Sequence, residues 1–599
     1  MPLTLDQDRV VSWSVKKIAV VGPGIVGMPM AALLAHARIL EGSSQPAKVV
    51  VIQRASPTSG WKVEAINAGR SPIGGVEPDL DRIVAETAAA GLLSATHDIN
   101  AARDADVILI CVQTDKKGIE PDYDPLFEAL NPLAEALKAR PAGNIPLIIF
   151  ESTLAPSSMA TLIRDHFAGF GLVEGRDILL GNSPNRDMPG RLVERVASSD
   201  KIVAGLRAVT PMLIERLYRR IVTQGRLYPT NSLTAEIVKT LENAYRDVRI
   251  AAAAEIVRYC DEHDIDFFAL RDQVNQQLGQ SDGASADPLA VPTGALLVPM
   301  LGVGGHCLPK DGILLWWRKL AAKESTERSL IIESRRINDE SPRATLDLAE
   351  STFGELHGVK VALLGAAYRA DSEDTRNSPT FALARLLGER GCRVVIQDPH
   401  VRPRDPNLVR LGLDTNFTPD LSEALDGADY VFFCIGHAAY QQPARALLAE
   451  GKVRGVVDAC NLCAPEAVRG ATTPYVGIGR GRTAPEPALV SFVLDCFRAM
   501  ERGVANEVQE LVDYLNQHFA DTDFSRAEFD EVRRLAATCT TGCAIAAAGP
   551  VREVPAYRGF LPRLVQRSVG REAAPARGSG DGRAPLRRSS SSNERAAAS

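Results

Sequence analysis

The sequence predicts an α/β protein: two doubly wound domains joined by an all-helical segment, then a helical C-terminal extension and a disordered tail. Three observations carry that reading. Through the first 210 residues, short β-branched runs bounded by Gly, Pro and Asn alternate with helix-length stretches. The stretch from Thr234 to Cys260 is helically periodic and contains no Gly or Pro. After about Arg343 the alternation of strands and helices begins again.

The elements follow in order. IAVVG, behind Lys16 and Lys17, reads as a strand and GMPMAALLAHARIL as a helix; KVVVIQ, ADVILICVQT, IPLIIFEST and DILLGNSP read as further strands. Such near-continuous apolar runs belong to a parallel sheet covered on both faces. Residues 1–210 form this first domain and 211–343 the helical segment. KVALLG, CRVVIQDP, ADYVFFCIG and GVVDACN then set up a second α/β domain over 344–485. The extension, 486–569, opens with the helical stretch LVSFVLDCFRAMERGVANEVQELVDYLNQHF and continues with a short acidic helix around Arg526–Ala537. From Gly570 to Ser599 the chain is mostly Ala, Gly, Ser and Arg, too poor in large apolar residues to pack.

Composition narrows the function classes. A chain of 599 residues is too long for one core. Its net charge of −6 argues against nucleic-acid and membrane-surface partners, which select a basic surplus. No apolar run approaches the roughly 18–20 residues of a membrane span, and MPLTLDQDRV lacks the layout of a signal peptide, so a cytoplasmic protein is expected. Ten cysteines are too sparse for a disulfide scaffold. Cys460 and Cys463 have C-x-x-C spacing without a second pair or a nearby histidine, so they read as half-buried thiols, and no metal is expected.

VVGPGIVG places Gly22, Gly24 and Gly27 between a strand and a helix, the pattern of a Rossmann dinucleotide turn. Gly22 permits the tight turn, Gly24 lets the backbone approach a pyrophosphate, and Gly27 lets the helix lie close to the sheet. Ile25 and Val26 lead into the helix, whose first N–H groups face the anion. The acidic residue expected after the second strand is replaced by Gln53 and Arg54. Gln53 can still bond a ribose hydroxyl, while Arg54 can stack on adenine or meet a 2′-phosphate. NAD is therefore the expected cofactor, with NADP open. Thr114 ends ICVQT, where it either presents a hydroxyl to the cofactor or simply terminates a strand.

GVGGHCLPKDG is the most informative segment. Gly302, Gly304 and Gly305 surround His306 and Cys307, with Lys310 and Asp311 just beyond. Such a loop can curl over a bulky ligand with the thiol at its tip. A helix starting near Pro309, together with Lys310, would favour the thiolate, and Asp311 can orient or activate a water. Lys239 and Asn243 lie four residues apart on one helix face, able to polarise an oxygen. Taken alone, that pair also reads as a solvated face.

Together, VVGPGIVG, CVQT, ESTLAP, SPNRDMPGR, AEIVKTLENAYRDV, GVGGHCLPKD, GAAYRADSEDTRNSP and the later QDP resemble the UDP-glucose/GDP-mannose dehydrogenase family, from about Ile18 to about Gly479. The resemblance implies an NAD domain, a central helical dimerisation domain and a C-terminal domain for the UDP moiety. It further implies a UDP-sugar substrate and a homodimer or higher homo-oligomer. Cys307 matches the family nucleophile, and Lys239, Asn243 and Asp311 its helpers. Thr153, in ESTLAP, matches an active-site threonine that also borders the cofactor. Asn185, Arg186, Gly304, Gly305 and His306 match positions lining the substrate, and Arg369 and Arg376 match basic positions near it. QRASPTSGWKVEAINAGRSPIGG and SPNRDMPGR look most like members acting on UDP-N-acetylhexosamines, notably UDP-N-acetylmannosamine. The implied reaction is a four-electron oxidation at C6, supplying surface polysaccharide precursors.

One departure weighs on the mechanism. Where many members carry Ser-Pro-Glu, this chain has Ser183-Pro184-Asn185, and an amide cannot take a proton. Either Asp187 or Asp311 replaces that glutamate, or the second half-reaction is slow. The competing readings are a UDP-glucose 6-dehydrogenase, a two-electron hydroxyacid dehydrogenase that needs no cysteine, and a nucleotide-sugar-binding protein with impaired catalysis. The extension has no counterpart in the family core.

Overall fold

The computed structural model describes residues 2–6, 9–74, 77–141, 143–186, 191–280, 294–539 and 543–569. Asp187 and the tail from Gly570 lie outside the described residues. No helix among the described residues is long and apolar enough to cross a membrane.

Eight strands build the first sheet: β1 (Lys17–Val21), β2 (Lys48–Ile52), β3 (Leu93–Thr96), β4 (Val107–Ile110), β5 (Leu147–Phe150), β6 (Leu179–Asn182), β7 (Lys201–Gly205) and β8 (Leu227–Asn231). Their spatial order is β8-β7-β6-β5-β4-β1-β2-β3. From β1 to β6 every pairing is parallel. β7 then runs antiparallel to β6, with β8 parallel to β7, so the expected all-parallel sheet carries a reversed pair on one edge. Because β8 ends at Asn231, this sheet passes the boundary expected at residue 210 and enters the segment expected to be all-helical. Apolar cores cover both faces, which is why β4 and β5 read as unbroken hydrophobic runs.

The central helices position the site. After β8, α2 (Ser232–Glu262) runs for 31 residues, about 46 Å at the helical rise; α1 is the earlier helix Gly27–His36. The Asn231 side chain caps α2 by accepting the Thr234 N–H at 2.8 Å. Two further helices, α3 (Leu308–Ala321) and α4 (Leu330–Asp339), pack along α2. The second sheet comprises β9 (Lys360–Leu364), β10 (Arg393–Gln397), β11 (Phe417–Thr418), β12 (Tyr430–Phe433), β13 (Gly455–Asp458) and β14 (Tyr475–Gly477). It is wholly parallel, in the order β11-β10-β9-β12-β13-β14. That order repeats the arrangement of the first six strands of the first sheet, and it puts a topological switch point beside the first strand of each.

The extension folds onto the chain's own centre. Its helices are α5 (Pro487–Phe519), α6 (Phe529–Ala536) and α7 (Arg563–Ser568). Leu489, Val493 and Cys496 of α5 join a core shared with the second sheet. Farther along, Val504, Val508, Leu511 and Leu515 pack with Leu233, Ile237, Leu241 and Val248 of α2. Polar caps fix the seam. Fully buried Glu507 accepts the Trp316 indole N–H (2.7 Å), the Ser329 hydroxyl (2.6 Å) and the Leu330 N–H (2.7 Å), so α5 caps α4 from outside. In return, Glu255 of α2 accepts the first two N–H groups of α7, at 2.8 and 3.2 Å.

Candidate active site

The glycine turn sits at the first switch point. Gly22 has φ +94°, and a Cβ there would lie 2.8 Å from the Cys111 carbonyl oxygen at the end of β4. A Cβ on Gly27 would lie 2.1 Å from the Gly22 carbonyl oxygen. Gly24 differs: a Cβ would meet nothing within 4 Å, so its face opens onto space that a bound pyrophosphate can fill. No side chain caps the N-terminus of α1 at Val26, which leaves its N–H groups for an anion. The residues present thus fit a dinucleotide.

Around this turn the expected partners are only partly poised. Gln53 donates to Ser59 Oγ (3.0 Å) and to the Arg54 carbonyl (3.2 Å). Arg54 is exposed and forms an ion pair with Glu128 at 2.6 Å. Lys62, absent from the sequence reading, donates to the Pro23 carbonyl inside the turn at 3.3 Å, and burial lowers its pKa.

A chain of polar contacts links this domain to the cysteine loop. Thr114 donates to the Thr153 carbonyl at 2.6 Å, and His306 Nε2 donates to the Thr114 carbonyl at 2.9 Å. Cys307 is the N-cap residue of α3, and its carbonyl accepts the N–H groups of Lys310 and Asp311 at 3.1 and 2.9 Å. The helix start expected near Pro309 is therefore in place. Lys310 has a different role from the one expected: it is buried, with Nζ 2.5 Å from Asp311 Oδ1. The other carboxylate oxygen, Oδ2, accepts Asn243 Nδ2 at 2.6 Å. Asp311 is fully buried and so orients Asn243 from behind.

Lys239 lies one turn before Asn243 on α2. Burial opposes its charge, but Cys307, Asp311 and Glu242 outweigh that, and the ammonium is held above the ordinary lysine value. From the second α/β domain, Tyr368, Arg376 and Asn377 clamp the glycine loop. The Arg376 carbonyl accepts the Gly305 N–H at 2.8 Å, and Asn377 Nδ2 donates to the Gly305 carbonyl at 2.9 Å. A Cβ on Gly304 would lie 2.4 Å from Tyr368 Cβ, so the glycine is needed for closeness to protein as well as to a ligand. The Arg376 guanidinium is held on Asp374 at 2.9 and 2.6 Å, and the Arg369 carbonyl accepts the Ser372 hydroxyl at 3.0 Å.

Arg186 is the clearest change from expectation. The sequence assigned it to the substrate, yet its side chain is turned inward onto Glu242 at 2.5 Å and is only 6% exposed. A buried carboxylate on α2 demands a counter-charge, and Arg186 supplies it. Its neighbour Asn185 is half-buried, with its N–H on the Glu151 carbonyl at 3.2 Å. Glu151, fully buried, pairs with Lys201 at 2.8 Å and accepts the Tyr218 hydroxyl at 2.5 Å.

One cluster in the second domain has the composition of a metal site: Asp371, His400 and His437. Nδ1 of buried His437 accepts the Asp371 N–H at 2.8 Å, so the ring proton is on Nε2, which donates to Asp398 at 3.0 Å. With both ring nitrogens engaged, His437 is a strut between loops. Cys460 and Cys463 likewise serve structure: their N–H groups lie on Asp458 at 3.3 and 2.8 Å.

Glu236, one turn before Lys239, ties α2 to the segment after Thr153 by accepting the Ser157 and Met159 N–H groups, each at 2.8 Å. Burial lifts its carboxyl to about 8, from an ordinary 4.5. The folded chain thus keeps a proton that the unfolded chain releases, and this group's contribution to stability falls as pH rises between those values. The Tm of the wild type is expected to decline from pH 6 to pH 8.5, and Glu236→Gln to flatten that part of the curve. An unchanged slope in the variant would refute the assignment.

Comparison with known proteins agrees with this geometry. The UDP-glucose/GDP-mannose dehydrogenase family matches along most of the chain: its NAD binding domain over residues 16–222, its central domain over 233–340 and its UDP binding domain over 362–465. The UDP-N-acetyl-D-mannosamine dehydrogenase of Pyrococcus horikoshii is 30% identical over 430 residues, covering 71% of this chain and 90% of its own length. The NDP-N-acetyl-D-galactosaminuronic acid dehydrogenase of Ralstonia solanacearum is 30% identical over 448 residues, covering 73% and 94%. The crystal structure of an NDP-N-acetyl-D-galactosaminuronic acid dehydrogenase from Methanosarcina mazei superposes with a TM-score of 0.65 at 29% identity, over 78% of this chain and 96% of that one. With the glycine turn, the cysteine at a helix N-terminus and the Lys239–Asn243 face in one fold, the chain belongs to the UDP-glucose/GDP-mannose dehydrogenase family and is an NAD-dependent nucleotide-sugar dehydrogenase.

Proposed function

We propose that the protein oxidises the C6 hydroxyl of a UDP-N-acetylhexosamine to the carboxylate in two hydride transfers, through a covalent adduct on Cys307. The observation that carries this reading is the convergence of Cys307, Lys239 and Asn243 at the N-terminus of α3, with Asp311 locked behind them. The preference for an N-acetylated sugar is supported by relatives of that activity and by the likeness of SPNRDMPGR to theirs.

The Gly22–Gly27 turn and the end of β4 would hold NAD, which would supply the hydride acceptor for each of two half-reactions at C6. In the first, the C6 hydroxyl loses a proton as hydride leaves, giving an aldehyde. The Cys307 thiol then adds across the C=O bond, its proton ending on oxygen, as a thiohemiacetal. Loss of a second hydride, with the hydroxyl proton, gives a thioester. Water adds at that carbonyl, the C–S bond breaks, and the thiol is restored as the acid leaves. Lys239 and the remaining Asn243 N–H stabilise negative charge on the C6 oxygen at each stage. The positive end of α3 faces the sulfur as it becomes nucleophile and then leaving group. Thr153 offers a hydroxyl to the attacking water, and Asp311 acts through Asn243. With Asn185 in place of a glutamate, water activation lacks its usual base, and hydrolysis is the expected slow step.

The test is a panel of UDP- and GDP-sugars with NAD, read as reduced cofactor per sugar. Two per UDP-N-acetylhexosamine, with UDP-glucose turned over far less, is the expected result. A ratio of one, or efficient use of UDP-glucose with no N-acetylated sugar consumed, would overturn the proposal.

A further inference from the structure

The extension lies beyond the matched family domains, yet it reaches the site. At its outer end, Thr230 donates to Glu531 at 3.0 Å and Asn231 Nδ2 to the Arg526 carbonyl at 2.7 Å, pinning the β8–α2 junction. Next along the chain, Arg186 Nη1 donates to Thr538 Oγ1 at 2.8 Å and Nη2 to the Leu535 carbonyl at 3.4 Å. The Cys539 thiol borders both Arg186 and Glu242. One turn farther along α2, the Tyr245 hydroxyl meets both carboxylate oxygens of Glu501 at 2.7 Å and the Ala544 carbonyl at 3.3 Å. The extension therefore underlies the turns of α2 that carry Lys239 and Asn243.

The charges there give those contacts a purpose. Glu242 and Lys239 are three residues apart, on one side of α2, and both are buried. Unopposed, the Glu242 carboxylate would draw in the Lys239 ammonium and take it from the reacting oxygen. Arg186 occupies Glu242 instead, and the Thr538 hydroxyl and Leu535 carbonyl hold Arg186 in that position.

We infer that the C-terminal extension is a working part of the catalytic site: through Thr538 and Leu535 it holds Arg186 on Glu242, so that Lys239 remains free for the substrate. Thr538, Arg186 and Glu242 are positioning residues and touch neither substrate nor cofactor. The inference rests on the role proposed above for Lys239, and it adds eighty residues of supporting structure, about the length of the extension, to that site.

The experiment uses the full chain and two readouts. The first is steady-state turnover of whichever nucleotide sugar the wild type oxidises. The second is the rate at which iodoacetamide alkylates Cys307 at pH 7, followed by peptide mass; it needs no substrate, so it stands even if the substrate class is wrong. Thr538→Val removes one hydrogen bond to a charged group, and kcat is expected to fall about tenfold with KM nearly unchanged. Cys307 should alkylate more slowly in the same variant, because Lys239 is drawn off toward Glu242. Thr538→Ser should restore both. Arg186→Gln should lose more than Thr538→Val, and Arg186→Gln with Glu242→Gln should regain kcat, since the group competing for Lys239 is gone. Circular dichroism and Tm identify any variant that simply fails to fold, and the conservative Thr538→Ser and Thr538→Val pair keeps the question decidable. Wild-type kcat and alkylation rate in a folded Thr538→Val protein, or no recovery in the double variant, would overturn the inference.

Discussion

Cys307→Ala is expected to abolish formation of the acid, lowering four-electron turnover by on the order of 10⁴-fold or more, as nucleophile deletions do in other covalent enzymes. Binding should survive, because alanine removes only the thiol from the N-cap of α3 and leaves the Arg376 and Asn377 clamp on Gly305 intact. The most the variant should yield is one reduced cofactor per sugar, with aldehyde released. Cys307→Ser discriminates further. A hydroxyl can add to the aldehyde, but alkoxide is far scarcer than thiolate near neutral pH, so turnover should be slow and an ester-like adduct should accumulate. The measurements are reduced-cofactor yield and intact-protein mass after mixing with substrate. Two reduced cofactors per sugar from Cys307→Ala, at near the wild-type rate, would end the thioester mechanism.

The second large effect is expected at the glycine turn, where two neighbouring substitutions should fail in different ways. Gly27→Ala puts a Cβ 2.1 Å from the Gly22 carbonyl oxygen, and backbone cannot swing aside as a side-chain tip can. The start of α1 must lift from β1, which costs about 1–3 kcal/mol as overpacking does. It also spoils the anion site, so NAD affinity should fall by about a hundredfold or more, roughly 2.8 kcal/mol. The Cβ of Gly24→Ala meets nothing within 4 Å, so the variant's Tm should match the wild type. Its NAD affinity should nevertheless drop, because the new methyl occupies the approach of the pyrophosphate. Titration calorimetry with NAD, beside thermal unfolding, separates the two. Wild-type affinity in Gly24→Ala would show that the pyrophosphate does not lie against that residue.

The turn and the cysteine loop were legible in the sequence because their chemistry is local: glycines, a thiol and a helix start within a dozen residues. The strands legible in the same way were those with an unbroken apolar run, such as Val107–Ile110, Tyr430–Phe433 and residues 49–52 of β2. β3 escaped because it is an edge strand with alternating burial. Register also hid the reversed edge of the first sheet, since strand direction leaves no mark on composition. In the site, Glu242 stood in plain view between Lys239 and Asn243, but its importance depends on Arg186, more than fifty positions earlier. Arg186 in turn looked like a substrate residue because it follows Asn185, and only the fold reveals that its guanidinium lies buried on Glu242.

The contact between Arg186 and Thr538 spans 352 positions of sequence. At a ribosomal pace of about 5–20 residues per second, roughly 20–70 s separate the synthesis of its two ends. During that interval the NAD domain, α2 and the cysteine loop have all emerged, while Arg186 and Glu242 have no Thr538 or Leu535 beside them. On the inference drawn above, the nascent chain thus carries Lys239 beside Glu242 before the residues that hold Arg186 have been made. A message cut short near the end of the second sheet should, on that same inference, yield a protein that carries Cys307, Lys239 and Asn243 but turns over more slowly.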